Sequence, residues 1–141
     1  MKLLIACLSL GLLISCTSPL EKTVDLKPVV DSLYFHFNKH DWKSMASMYA
    51  DSALFLDPSL GLKEVVQSKD SIVKKYSELE AIFPNIKDSV IRTYQSGSDV
   101  ITAEFISIGT GLDSTKLFLP ITTIFTIKNG KIVKDHTYYD N

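Results

Sequence analysis

From Val90 to Asp140 the chain is written largely in Val, Ile, Thr, Tyr and Phe, and this strand-rich second half constrains the fold most. Val90–Gln95, Val100–Ile108, Lys116–Ile127 and Ile132–Asp140 read as four strands. Gly97-Ser98 and Asn129-Gly130 mark hairpin turns between them, and Asn-Gly suits a two-residue turn with two left-handed positions. The first half carries helical periods instead. Leu26, Val29, Val30, Leu33 and Phe37 fall on one stripe of a helix over about 26–40. Asp41 can cap a second short helix carrying Trp42, Met45, Met48 and Tyr49. Ala53–Asp57 is a short strand stopped by Pro58, with a turn at Ser59–Gly61 and a brief extended piece over Leu62–Gln67. Ser68 can cap a third helix with stripe Ile72, Val73, Tyr76, Leu79 and Phe83, closed by Pro84-Asn85. Three helices and then a run of antiparallel strands define an α+β domain, its helices packed on one face of a curved sheet.

The N-terminus reads as a targeting segment. Lys2 precedes an apolar run from Leu3 to Ile14, interrupted by Ser9 and Gly11 and too short to span a bilayer. Leu13-Ile14-Ser15-Cys16 at its end resembles the lipobox of bacterial lipoproteins. That resemblance implies removal of residues 1–15, lipid on the Cys16 sulfur, a tether over 16–23 and a folded domain over 24–141. It also implies residence in a bacterial cell envelope, anchored to a membrane on the periplasmic or extracellular side. Acyl chains at ~0.8 kcal/mol per buried CH₂ make such an anchor essentially permanent. The alternative is an ordinary secretory signal that contains a cysteine. The only other cysteine is Cys7, so the domain itself has no disulfide, thiolate nucleophile or cysteine-ligated metal.

Charge excludes further classes. The 15 basic and 16 acidic residues are nearly balanced, and no basic run exceeds Lys74-Lys75, so nucleic acid is not an expected partner. The single arginine, Arg92, argues against phosphate-rich ligands. Lys74-Lys75 reads as a solvated face of the third helix. His36 and His40 have the i, i+4 spacing of two zinc ligands. Phe37, however, stands where a zinc-protease helix carries its glutamate, and no third ligand is near. No metal and no cofactor are expected.

Asp41-Trp42, Met48-Tyr49-Ala50-Asp51-Ser52-Ala53, Phe55-Leu56-Asp57-Pro58, Phe83-Pro84-Asn85, Asn129-Gly130-Lys131-Ile132 and Tyr138-Tyr139-Asp140 follow one another in a telling order. Together they resemble the nuclear transport factor 2-like superfamily, within it the SnoaL-like and ketosteroid isomerase-like groups, over about residues 28 to 141. The resemblance implies a cone: a strongly bent sheet wrapped around the long helix, enclosing an apolar pocket open at one end. It also implies pairing of two copies through the outer sheet face. It does not select an activity, because the fold hosts isomerases, cyclases, epoxide hydrolases, dehydratases and binding domains.

Strand and helix periods nominate the pocket residues. Ala53, Phe55 and Asp57 share one face of the first strand, and His136, Tyr138 and Asp140 share one face of the last. The first helix presents Leu33 and Phe37, with His36 at the edge of its stripe; Tyr49 and Tyr94 are further candidates. The resemblance makes Asp57 the counterpart of the ketosteroid isomerase base, and burial in an apolar cavity would raise its basicity. Equally, Asp57-Pro58 can start a turn, with the carboxylate accepting backbone hydrogen bonds. The isomerase oxyanion hole lacks its parts: Leu33 stands in the tyrosine's place, with Tyr34 about 100° round the helix. Pro120-Ile121-Thr122-Thr123, in the acid's place, has no carboxyl. In SnoaL-like cyclases a pocket aspartate works with polar neighbours that include histidine. His136 and Asp140, ~13 Å apart along a strand, cannot bond each other but could meet Asp57 across the pocket, or simply tie down the chain end.

Two function classes follow. One is an anchored envelope lipoprotein whose pocket binds a small apolar molecule, or which serves as an assembly scaffold. The other is a cofactor-free acid/base enzyme of isomerase, dehydratase or cyclase type, with Asp57 as base and His136, Tyr138 or Asp140 assisting. The missing oxyanion hole favours the first.

Overall fold

The elements follow the order α1 (Lys27–Asn38), α2 (Trp42–Ser47), β1 (Tyr49–Leu56), β2 (Val65–Ser68), α3 (Lys69–Ile82), β3 (Lys87–Ser96), β4 (Val100–Thr110), β5 (Lys116–Lys128) and β6 (Lys131–Tyr138) in the computed structural model. The structure describes residues 24–61 and 63–140, so the expected signal segment 1–15, Cys16 and the tether 16–23 lie outside the described residues. Pro28 opens α1, where its fixed φ suits the first turn. The helix buries Val30, Leu33, Tyr34 and Phe37, an i, i+3, i+4, i+7 row. Asp41 caps α2 by accepting from Ser44 N at 3.1 Å, and Ser68 caps α3 by accepting from Ser71 N at 3.2 Å. Tyr49 opens β1 rather than closing α2, because α2 ends at Ser47, after fewer than two turns.

The six strands form one sheet in the order β2-β1-β6-β5-β4-β3. Every neighbouring pair is antiparallel except β1 and β6, which run parallel, so the sheet is mixed rather than antiparallel throughout. The reason is topological: β3 to β6 form a meander that returns to the free edge of β1 running in its direction. The turn between β5 and β6 places Asn129 at φ 51° and Gly130 at φ 73°, both left-handed. The curved sheet presents Ala53, Phe55, Ile101, Ala103, Phe105, Phe125, Ile127 and Ile132 to α1, and these side chains form the core.

Two bulges position the site. On β3, Val90 faces Phe105 but Arg92 faces Glu104, leaving Ile91 unpaired. On β6, Lys134 faces Thr126 while Ile132 faces Ile127, leaving Val133 unpaired. An extra residue inverts the inside–outside alternation of everything after it. Among the described residues no helix is long and apolar enough to cross a membrane.

Candidate functional site

α1, α3 and the concave sheet face enclose a cavity of about 630 Å³, walled by aliphatic and aromatic side chains such as Leu33, Phe37, Leu79, Phe83, Phe105 and Ile121. Its polar groups gather at two poles.

The first pole holds two carboxyls in contrasting settings. Asp57, at the end of β1, is 6% exposed. It accepts from Ser59 N at 2.8 Å, Ser59 Oγ at 2.7 Å and Tyr139 Oη at 3.1 Å, and forms an ion pair with Lys75 Nζ. Burial pushes its pKa up. The Lys75 charge and the hydrogen bonds from Lys75 and Ser59 outweigh that, and the carboxyl ends below the ordinary value. Desolvation therefore does not make Asp57 a stronger base, because a cation and fixed donors accompany the burial. Asp57 also fills the turn role, capping the short helical turn Pro58–Leu60.

Asp135 on β6 is 4% exposed and accepts from Tyr49 Oη at 2.7 Å and Thr137 Oγ1 at 2.9 Å. Burial drives its pKa up against those hydrogen bonds and the pull of Lys75, and the negative charge of Asp57 adds to the rise. Thr137 in turn bonds Thr123 across the strands at 2.8 Å.

The second pole is Asp88 on β3. Its backbone is clamped by Asn38 of α1, which donates to Asp88 O and accepts from Asp88 N, both at 2.8 Å. Its carboxyl takes one hydrogen bond, from Ser107 Oγ on β4, and burial raises its pKa to about 7. Between the poles stand the phenols of Tyr34 and Tyr76. Burial first, and then the neighbouring carboxyls, push both well above the usual tyrosine value, so they remain neutral donors.

Of the residues the sequence nominated, Leu33, Phe37, Tyr49 and Asp57 line the cavity. Phe55 faces inward but is fully buried behind it, against Tyr49 and beneath Lys75 Nζ at 5.7 Å. His136 and Tyr138 lie on the outer sheet face, where His136 Nε2 sits 2.8 Å from Glu64 Oε1 and Tyr138 is 47% exposed. The cause is the Val133 bulge: counted from the buried Ile132, alternation points 134, 136 and 138 inward, but the extra residue turns Asp135, Thr137 and Tyr139 in instead. Asp140 is exposed beyond the end of β6, and Tyr94 is half exposed on the outer face beside Arg92. The partner that reaches Asp57 from the last strand is Tyr139, not His136.

Lys75 corrects the reading of Lys74-Lys75 as a solvated face. Its side chain is 19% exposed and turned to Asp57, while Lys74 is 77% exposed. The spacing carried the signal, since Lys75 is three residues after Ile72 and four before Leu79, about 40° from Leu79 round the helix. Tyr34 was legible in the same way, as i+4 from Val30. Asp88 follows the buried Ile86 at strand spacing. Asp135 was hidden by the bulge. His36 and His40 are engaged elsewhere: His36 Nδ1 is 3.7 Å from Asp41 Oδ2, and His40 bridges Glu80 Oε1 at 3.0 Å and Ile86 O at 2.8 Å. Among the described residues no three potential ligand side chains converge on one point.

A fold of this kind, with polar groups gathered in an apolar cone, defines a class: the nuclear transport factor 2-like α+β roll. Residues 30–134 match the SnoaL-like domain, and the chain belongs to that family. Among solved structures it is similar to IdmH, a putative polyketide cyclase from Streptomyces antibioticus, at 18% identity and TM-score 0.71, covering 84% of this chain and 94% of that one. A putative polyketide cyclase from Xanthomonas campestris matches at 14% identity and TM-score 0.69, over 82% and 90% of the two chains. SalBIII, an epoxide hydrolase/cyclase-like enzyme in pyran ring formation in polyether salinomycin, matches at 13% identity and TM-score 0.72, over 82% of this chain and 90% of that one. At such identities the likeness is one of fold. No curated protein is detectably similar to the chain.

Proposed function

We propose that the chain is a cofactor-free acid/base enzyme of the isomerase or cyclase type, acting on a largely apolar carbonyl compound. The observation that carries this reading is one pair of carboxyls in one cavity pushed to opposite sides of the ordinary pKa. Asp57 is held as an anion by Lys75, and Asp135 is held towards its neutral form by burial. Such a split assigns a base and an acid within one site. In the proposed step the Asp57 carboxylate takes a proton from the carbon beside a carbonyl. The developing enolate oxygen meets the neutral phenols of Tyr34 and Tyr76, with Asp135, biased by burial towards its protonated form, beside them. The proton then returns from Asp57 to another carbon; alternatively the enolate carbon attacks a second carbonyl carbon of the same molecule to close a ring, that carbonyl's π electrons pass to its oxygen, and the oxygen takes the proton held by Asp57. Each well-placed donor is worth roughly 3 kcal/mol of transition-state stabilisation. These donors occupy the role for which the Leu33 and Thr122 positions supply no group. A carboxylate of lowered pKa is a weak base, so the substrate that suits it has an acidified C–H, as between two carbonyls. The polyketide cyclases among the structural relatives add support.

The test is deuterium uptake at the activated carbon of apolar β-keto esters, followed by NMR above the buffer-catalysed rate. Asp57→Asn should lower the protein-catalysed rate by about 100-fold or more. Uptake that survives Asp57→Asn unchanged would remove the proposal. A second reading, a binding pocket without turnover, is favoured by one observation: Asp57 already has four partners, which suits a fixed wall as well as a base. It predicts ligand capture with no exchange at all. We further propose, on the strength of Leu13-Ile14-Ser15-Cys16, that lipid on Cys16 holds this domain on a bacterial envelope membrane.

A further inference from the structure

Asp88 is the buried acid that the chemistry above leaves unused. It is 8% exposed and lines the cavity, yet its carboxyl has one protein partner, the hydroxyl of Ser107. That bond uses Oδ1, and among the described residues Oδ2 makes no hydrogen bond. Among the described residues no cation pairs with it either. Lys75 is committed to Asp57, and Lys74 lies at the exposed rim 3.9 Å from Glu78. The neighbouring walls are aromatic. Phe105 stands two residues before Ser107 on the same inward face of β4, with Tyr34 against it at 4.9 Å between ring centroids, tilted by 58°. Phe125 lies 6.5 Å from Tyr34 on the other side.

A buried carboxyl with a free oxygen, no counter-ion and ring faces beside it is complementary to a positive charge that water does not solvate well. Ring faces attract a cation through their quadrupole and have no such preference for a neutral group of the same shape. We propose that this end of the cavity recognises a protonated or quaternary amine, so that the ligand is an organic cation with an apolar body. The amine sits between Asp88 Oδ2 and the faces of Phe105 and Tyr34, and the body fills the aliphatic wall towards Leu117 and Ile121. The inference rests on the same cavity being a ligand site, and it holds whether or not turnover occurs at the Asp57 pole.

Charge state gives the site a pH dependence. The titratable groups facing Asp88 are the phenols of Tyr34 from α1 and Tyr76 from α3, both held neutral; β4 contributes the Ser107 hydroxyl, and Asn38 clamps the backbone. With the Asp88 pKa at about 7, a permanently charged ligand should bind more tightly as pH rises from about 6 to 8, because it binds the ionised carboxyl.

The experiment is an NMR titration of the described domain in its full chain with benzyltrimethylammonium. The neutral control is 1-phenyl-2,2-dimethylpropan-1-ol, which has a similar skeleton without the charge. The cation should bind at least about tenfold more tightly than the alcohol at pH 8, and Asp88→Asn should remove most of that preference and flatten the pH profile. Phe105→Leu, which keeps the carboxyl and guards against a misfolded Asp88 variant, should weaken the cation several-fold and leave the alcohol nearly unaffected. The readout is equilibrium binding of a cation that has no acidic C–H beside a carbonyl, so its outcome is separate from that of the deuterium-uptake test of the acid/base reading. Equal binding of cation and alcohol, or a preference unchanged in Asp88→Asn, would overturn it.

Discussion

Asp57 and Asp135 are the same side chain at nearly the same solvent exposure, and they part company because Asp135 lies deeper in the protein while only Asp57 ion-pairs with a cation and gathers the donors of Ser59 and Tyr139. Asp88 isolates the effect of burial itself, since one hydroxyl is its whole compensation and its pKa reaches about 7 against an ordinary 3.8. In that window the folded state binds the proton that the unfolded chain releases. Stability from this group is therefore fully present below the unfolded value and is lost as pH rises through the folded one. Asp88→Asn removes that loss. The variant should gain roughly 3 kcal/mol over the parent at pH 8 relative to pH 5, read from urea unfolding at the two values. Equal pH slopes for parent and variant would contradict the burial account.

At the scale of elements, what was legible in the sequence was local. Asp41 and Ser68 cap the helices that follow them, and Asn129-Gly130 turns its hairpin, because those signals need only neighbouring residues. The parallel meeting of β1 and β6 joins Phe55 to Asp135, eighty residues apart in sequence, and no local pattern announces it. The Val133 bulge is likewise set by pairing with β5, yet it decides that Asp135 rather than His136 reaches the cavity. Two site residues were readable and were assigned by type instead of angle: Lys75 as a solvated charge and Tyr34 as a residue off the stripe. The hairpin offers a clean test, because an added Cβ at Gly130 meets nothing within 4 Å and the strain lies in φ alone. Gly130→Ala should cost about 1 kcal/mol in denaturant unfolding without altering the cavity. A neutral effect would mean that the turn does not hold its left-handed geometry.

At the scale of the molecule, the fold supplies a largely apolar cavity, and the membrane anchor proposed for it rests on Leu13-Ile14-Ser15-Cys16. Cys16→Ala should abolish incorporation of labelled palmitate and leave the precursor unprocessed; labelling that persists in the variant would refute the lipobox reading. For the domain itself, the central claim is that one cavity holds two carboxyls shifted in opposite directions, Asp57 below the ordinary value and Asp135 above it. Carboxyl ¹³C NMR titration of the folded protein measures that claim most directly. Asp57 should titrate below the ordinary carboxylate value and Asp135 above it. Lys75→Met should raise Asp57, because burial then acts against fewer compensating partners. Two carboxyls that both titrate at the ordinary value, or an Asp57 indifferent to the loss of Lys75, would contradict the account.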